Sequence, residues 1–337
     1  MRALAVATAI GAAALTTSLL AACGSSSPNT IVLYSGQHEQ TTAKLVARFE
    51  ALDHVKVEVR TGDEASLGEQ VLQEGAASPA DVFYSENSPV LESLREHGRL
   101  APVEASTLAA IPARYSSAQG DWVGVSARVS ALIYNPARLG STKLPTSVLE
   151  LGAPRFRGKL AFAPSETDFQ PLIAAIARID GSARAERWLR ELRAVGTVYP
   201  DNETVTTQVN DGQSALGPIN HYYWFRLRAE LGATGMHSTL RYFPPGDPGD
   251  LLDVSGAAIL ASSSHRAAAQ RFLAFLVSAE GQRTIARSDS YEYPLRPGVA
   301  AAPGLVPLAQ IRPTQVPPAE LGDGSGALAL EQKVGLL

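Results

Sequence analysis

The sequence predicts an α/β fold built as two lobes of similar size. Three observations carry this. Short apolar runs alternate with amphipathic helical stretches along most of the chain. At 337 residues the chain suits two units of about 100–200 residues each. Apolar residues make up 45% and charged residues 18%, enough to bury a sizeable core and too apolar for a disordered chain.

The elements follow in order. Residues 31–34 (IVLY) are an apolar run that stops at Ser35-Gly36, a buried strand. Residues 41–52 place Leu45, Val46, Phe49 and Leu52 on one helical face. Val55, Val57 and Val59 alternate with Lys56, Glu58 and Arg60, a second strand. Residues 63–74 form a helix with Leu67, Val71 and Leu72 inward, and residues 81–84 (DVFY) a third strand. Ser88 then caps a helix that has Pro89 at its first position. This rhythm argues for mostly parallel pairing.

The rhythm returns after the middle of the chain. Residues 159–163 (KLAFA) are a strand, 168–179 and 183–195 helices, and Asn202 the cap of another helix. Residues 215–220 (ALGPIN) are a strand feeding an aromatic run at 221–225. Residues 254–260 form a strand and 264–277 a helix carrying Phe272, Phe275 and Leu276. Crossovers between the lobes are expected near residues 125–131 and 252–255.

The start of the chain reads differently. Met1-Arg2 is followed by an apolar stretch without acids, then by Leu20-Ala21-Ala22-Cys23-Gly24. A charged start, an apolar run and small residues before a break mark a secretory signal. The stretch resembles the lipobox of bacterial lipoproteins. That resemblance implies a signal peptide over 1–22, cleavage before Cys23 and lipidation of Cys23. Residues 23–30 read as a flexible tether. The domain is therefore expected on the extracytoplasmic face of the cell membrane, lipid-anchored, where no ATP is supplied. The sole cysteine excludes a disulfide framework and thiolate-rich metal sites. A net charge of −4 without an arginine-rich patch argues against nucleic acid as a partner.

Enzyme signatures are missing. There is no G-x-S-x-G elbow, no phosphate-binding G-x-x-x-x-G-K-[ST], no G-x-G-x-x-G and no H-E-x-x-H. Ligands in open α/β sheets sit beyond the carboxyl ends of strands. There the sequence offers His38 after the first strand, Glu86 after the third, and Tyr222-Tyr223 after the strand at 215–220. One imidazole, one carboxylate and two phenols suit a small, hard, highly charged cation. A bound cation can hold a phenol deprotonated, and iron(III) best suits phenolate. Each residue also has a plainer reading: a loop histidine, an acid at a helix start, core aromatics. Adjacent tyrosines on one strand would point to opposite faces, so joint ligation requires a loop or a helix start there.

A family resemblance bears on the choice. The stretches YSGQHEQ (34–40), RTGDEASLGEQVLQEG (60–75), PADVFYSENSP (79–89), DWVGVSARVSALIYN (121–135), APSETDFQP (163–171), YPDNETV (199–205), INHYYW (219–224) and SDSYEYPLRPGV (288–299) follow one another in order. Together they resemble the iron(III)-binding proteins of bacterial ABC importers, within the type 2 periplasmic-binding-protein fold. The resemblance implies two lobes that close on the ligand. It divides the chain into a first lobe of residues 31–127 plus 254–305 and a second of 128–253 plus 306–337. It implies iron(III) held by His38, Glu86, Tyr222 and Tyr223, with a synergistic anion such as carbonate or phosphate. The anion positions carry over to Ser165, Asn202 and Asn220, with Arg128 a further candidate. Ser165-Glu166-Thr167 departs from the family's Ser-Gly pattern, and Glu166 and Asp168 add acid that weakens anion binding or replaces the anion. The implied partner is a membrane ABC permease, and a monomer is expected. The alternative is a protein of the same fold that binds an oxyanion, for which Ser165, Thr167 and Asn202 near helix starts are suited, or an organic cation.

Overall fold

The computed structural model describes residues 29–337. The expected signal peptide over 1–22, Cys23 and nearly all of the expected tether lie outside the described residues. The strands are β1 (Thr30–Ser35), β2 (Lys56–Thr61), β3 (Val82–Ser85), β4 (Leu100–Ala101), β5 (Trp122–Tyr134), β6 (Ala161–Phe162), β7 (Thr197–Val198), β8 (Leu216–Asn220), β9 (Thr239–Arg241), β10 (Leu252–Leu260) and β11 (Tyr293–Pro294). A nine-stranded sheet runs β11-β5-β10-β3-β1-β2, with β4 on β10 and with β8 and β9 on β5; β6 and β7 pair separately.

The sheet is mixed, which corrects the expectation of mostly parallel pairing. β1–β2, β1–β3 and β6–β7 are parallel, whereas every pairing of β5 and β10 is antiparallel. Both long strands are buried almost throughout. A strand covered on both faces reads as a continuous apolar run whichever way its neighbours point, so direction is invisible in composition.

The core changes identity partway along β5. Val123, Val125 and Val129 belong to one apolar cluster with Leu33, Phe83 and Phe272. Leu132 belongs to a second, with Phe162, Trp188 and Leu216. Residues 122–129 of β5 pair with β10 and β11, while residues 130–134 pair with β8 and β9. Ile311, beyond residue 305, still packs in the first cluster, and Ala327 and Val334 pack in the second. Among the described residues no helix is long and apolar enough to cross a membrane.

Several local readings shift. Helix α1 (Glu39–Asp53) buries Leu45, Val46 and Phe49 but leaves Leu52 51% exposed. Val59 is also exposed, because β2 is the edge strand. Helix α2 (Glu64–Glu74) is capped by Asp63, whose side chain accepts from Ser66 N. Helix α3 (Ser88–Glu96) follows Asn87, so Ser88 is inside the helix rather than its cap. The helix Asn202–Asn210 is capped by Asp201, which accepts from Thr204 N at 2.6 Å; Asn202 is its first residue.

Candidate metal centre

Parallel pairing of β1 with β3 puts Ser35 opposite Tyr84, so both chains leave the sheet at the same edge. His38 precedes α1 there, and Glu86 precedes α3. His38 Nε2 lies 3.6 Å from Glu86 Oε1 and, although buried, has no hydrogen-bond partner. Burial holds this imidazole below its ordinary pKa, against the opposing charge of Glu292, and so favours the neutral form. A neutral imidazole with an unpartnered buried nitrogen can serve as a metal ligand.

Tyr222 and Tyr223 sit in the first turn of the helix His221–Leu231. The strand geometry that would separate them ends at Asn220, and their ring centroids lie 4.1 Å apart. Both hydroxyls point at one oxygen: Tyr222 donates to Asp168 Oδ2 at 2.9 Å and Tyr223 at 3.0 Å. Tyr222 OH also lies 3.0 Å from Glu86 Oε1. Asp168 reaches this point from the residue before the helix Phe169–Asp180. Neighbouring His221 is engaged elsewhere. Its Nδ1 accepts from Val129 N and its Nε2 contacts Tyr291 O, tying β5 to the turn before β11.

Sheet register explains what surrounds Arg128. On β5 it pairs with Asp253 of β10, and Glu292 directly precedes β11, whose Tyr293 pairs with Ala127. The fully buried guanidinium thus lies 3.1 Å from Glu292, 3.4 Å from Asp168, 3.6 Å from Asp253 and 3.9 Å from Glu86. Burial and the charge of Asp168 push the Glu86 carboxyl well up. Burial would raise Asp168 too, but Arg128 and the two phenols outweigh it and hold Asp168 below its ordinary value. Burial, then Asp168, pushes both phenols well up. The cluster therefore joins one carboxylate held low, Asp168, to a carboxyl and two phenols held high, Glu86, Tyr222 and Tyr223. A cation entering there replaces protons.

Residues 77–312 match the family of bacterial extracellular solute-binding proteins. This chain belongs to that family. It is 37% identical over 328 residues to the Fe(3+)-binding periplasmic protein of Serratia marcescens, covering 96% of this chain and 97% of that one. It is 33% identical to the major ferric iron-binding protein of Neisseria meningitidis serogroup A, with coverage of 91% and 93%. The structure of iron-bound HitA from Pseudomonas aeruginosa matches with a TM-score of 0.87 at 41% identity, covering 91% of this chain and 99% of that one. The fold is the two-lobed type 2 fold of these relatives, and the family is one of solute carriers rather than enzymes.

Within this solute-binding protein the expected anion residues separate. Ser165 is exposed, and its hydroxyl donates to Pro200 O, away from the cluster. Asn202 and Asn220 line a cavity of about 10 Å³ beside Asp168 and Ser130. Arg128 is taken up by carboxylates. Asn87, Glu64, Asp253 and Glu292 were not singled out in the sequence. Glu292 shares with His38 and Glu86 a group of ligand atoms within 4.8 Å of one another, but it is held by Gln37, Ser126 and Arg128. Asn87 follows Glu86 directly, and Glu292 lies in the SDSYEYP stretch; those are the only sequence signals they carry.

Proposed function

We propose that this protein captures iron(III) between its two lobes and delivers it to an ABC permease. The observation that carries this is the convergence of His38 Nε2, Glu86 Oε1, Asp168 Oδ2 and the hydroxyls of Tyr222 and Tyr223 in one buried place. Carboxylate and phenolate oxygens suit a hard cation. Two of the relatives named above carry Fe(3+) or ferric binding in their names, and the third is described as iron-bound, which supports iron as the cargo.

His38, Glu86, Tyr222 and Tyr223 are assigned as ligands from the side chains, and Asp168 joins them. The carboxylate of Asp168 takes the place that carbonate or phosphate would fill, so iron is held without a synergistic anion. The first lobe contributes His38 and Glu86, the second Asp168 and both tyrosines. A ligand set split in this way makes metal affinity itself drive closure. The core clusters support a division of the chain near residues 129–132 and near 251–254, with the last crossing between Ile311 and Val316. An oxyanion ligand is disfavoured by the surplus of buried carboxylates.

Lipidation at Cys23 would hold the domain, as a monomer, at the extracytoplasmic face beside the permease. Titration of the purified protein with iron(III) citrate tests the central reading. One equivalent should produce a visible phenolate-to-iron band; absence of both band and bound metal defeats it. Cys23→Ser should leave iron affinity unchanged while abolishing membrane retention of the processed protein.

A further inference from the structure

We infer that Arg128 and Asn87 are positioning residues that clamp one oxygen of Asp168 and thereby present the other as a built-in anion. The inference rests on the iron reading above. Asp168 divides its oxygens by task. Oδ1 lies 3.4 Å from Arg128 Nη2 and 3.4 Å from Asn87 Nδ2. Oδ2 accepts from both phenols, at 2.9 and 3.0 Å, and Asn220 adds a side-chain hydrogen bond to the same carboxylate. A carboxylate held by one oxygen presents the other in a fixed direction, much as an outer-shell partner orients a metal-bound imidazole.

The clamp is itself fixed. Asn87 Oδ1 accepts from Arg128 Nη2 at 2.5 Å, and Glu292 accepts from Nη1 at 3.1 Å. Asn87 donates through Nδ2 to Glu64 Oε1 at 2.5 Å and through its backbone N to Glu64 Oε2 at 2.8 Å. Glu64, Asn87, Arg128 and Asp168 form one chain from the first lobe to the metal place, and every link is buried. Asn87 spends its amide here, and its helix goes without a side-chain cap bond. An arginine beside a cation site repels the cation. Its presence is explained if its work is geometric, since a fork can hold Asn87, Glu292 and Asp168 at once and a point charge cannot.

Charge-neutral substitutions separate geometry from charge. Asn87→Ala and Arg128→Lys both keep the net charge of the cluster. Each should lower iron(III) affinity at least about tenfold, in the range for loss of an outer-shell partner. Each should also shift the visible band, and added phosphate or carbonate should recover part of the affinity. Melting curves of the metal-free proteins show whether each variant folds, and either alone suffices. Wild-type protein supplies a third arm: its iron affinity and band should be indifferent to phosphate and carbonate. If the wild type requires either anion, or if a folded variant keeps wild-type affinity, band and anion indifference, the inference is wrong. A wild type without any phenolate band would instead overturn the iron reading beneath it.

Discussion

Asp168 Oδ2 accepts from the Tyr222 hydroxyl at 2.9 Å, and both groups are buried. A phenol donating to an ionised carboxylate is the metal-free counterpart of a cation bridging the two. The side chains proposed to bind the metal are already assembled.

Tyr223→Phe removes a hydroxyl that donates only to Asp168 and keeps the ring packing. Iron affinity should fall by more than the roughly 10–100-fold expected for an outer-shell loss, and the visible band should weaken or move. Metal-free stability should change by only about 1 kcal/mol, the net worth of one hydrogen bond. Isothermal titration and thermal melting check the two halves separately.

Asp168→Ala should open space beside Asn202 and Asn220 while removing a ligand. Iron binding should then become dependent on added carbonate or phosphate. Titration in buffers stripped of both anions, then with each restored, provides the check.

Acid should release the metal. Glu86, Tyr222 and Tyr223 are all pushed up, so each holds its proton more tightly than an ordinary carboxyl or phenol. Iron must displace one from each, so binding releases protons and affinity rises with pH. His38 is shifted down and contributes little to this dependence until the medium is markedly acidic. An indicator dye counts the protons released on loading, and an affinity flat from neutral to mildly acidic pH would contradict the scheme.

A separate pH effect belongs to Glu331. Both its carboxylate oxygens are buried without a partner, and burial pushes it from 4.5 up to about 8. The folded state holds this proton where the unfolded state has lost it. Its stabilising contribution is complete below the unfolded value and is lost as pH climbs through about 8. Glu331→Gln should therefore flatten the fall of melting temperature between mildly acidic and alkaline pH.

Much of the site was legible because its residues follow strands in sequence. His38, Glu86 and the tyrosine pair each stand just past an apolar run, and the need for a loop or a helix start at Tyr222 followed from strand geometry alone. Asp168 was visible as extra acid, but not as the point where both hydroxyls meet. Asp253 and Glu292 flank Arg128 only through the register of β10 and β11 on β5. Register depends on which strands are neighbours, and a continuous apolar run does not encode that. Glu64 meets Asn87 across 23 residues with no motif to join them. Leu52 and Val59 were misleading because periodicity marks a face without saying whether anything covers it.

The resonance Raman spectrum of the iron-loaded protein, excited in its visible band, tests iron binding through Tyr222 and Tyr223 most directly. Phenolate ring modes should be enhanced in the wild type and reduced in each of Tyr222→Phe and Tyr223→Phe. Stoichiometric iron uptake with no enhanced phenolate modes, or with modes unchanged in both variants, would contradict it.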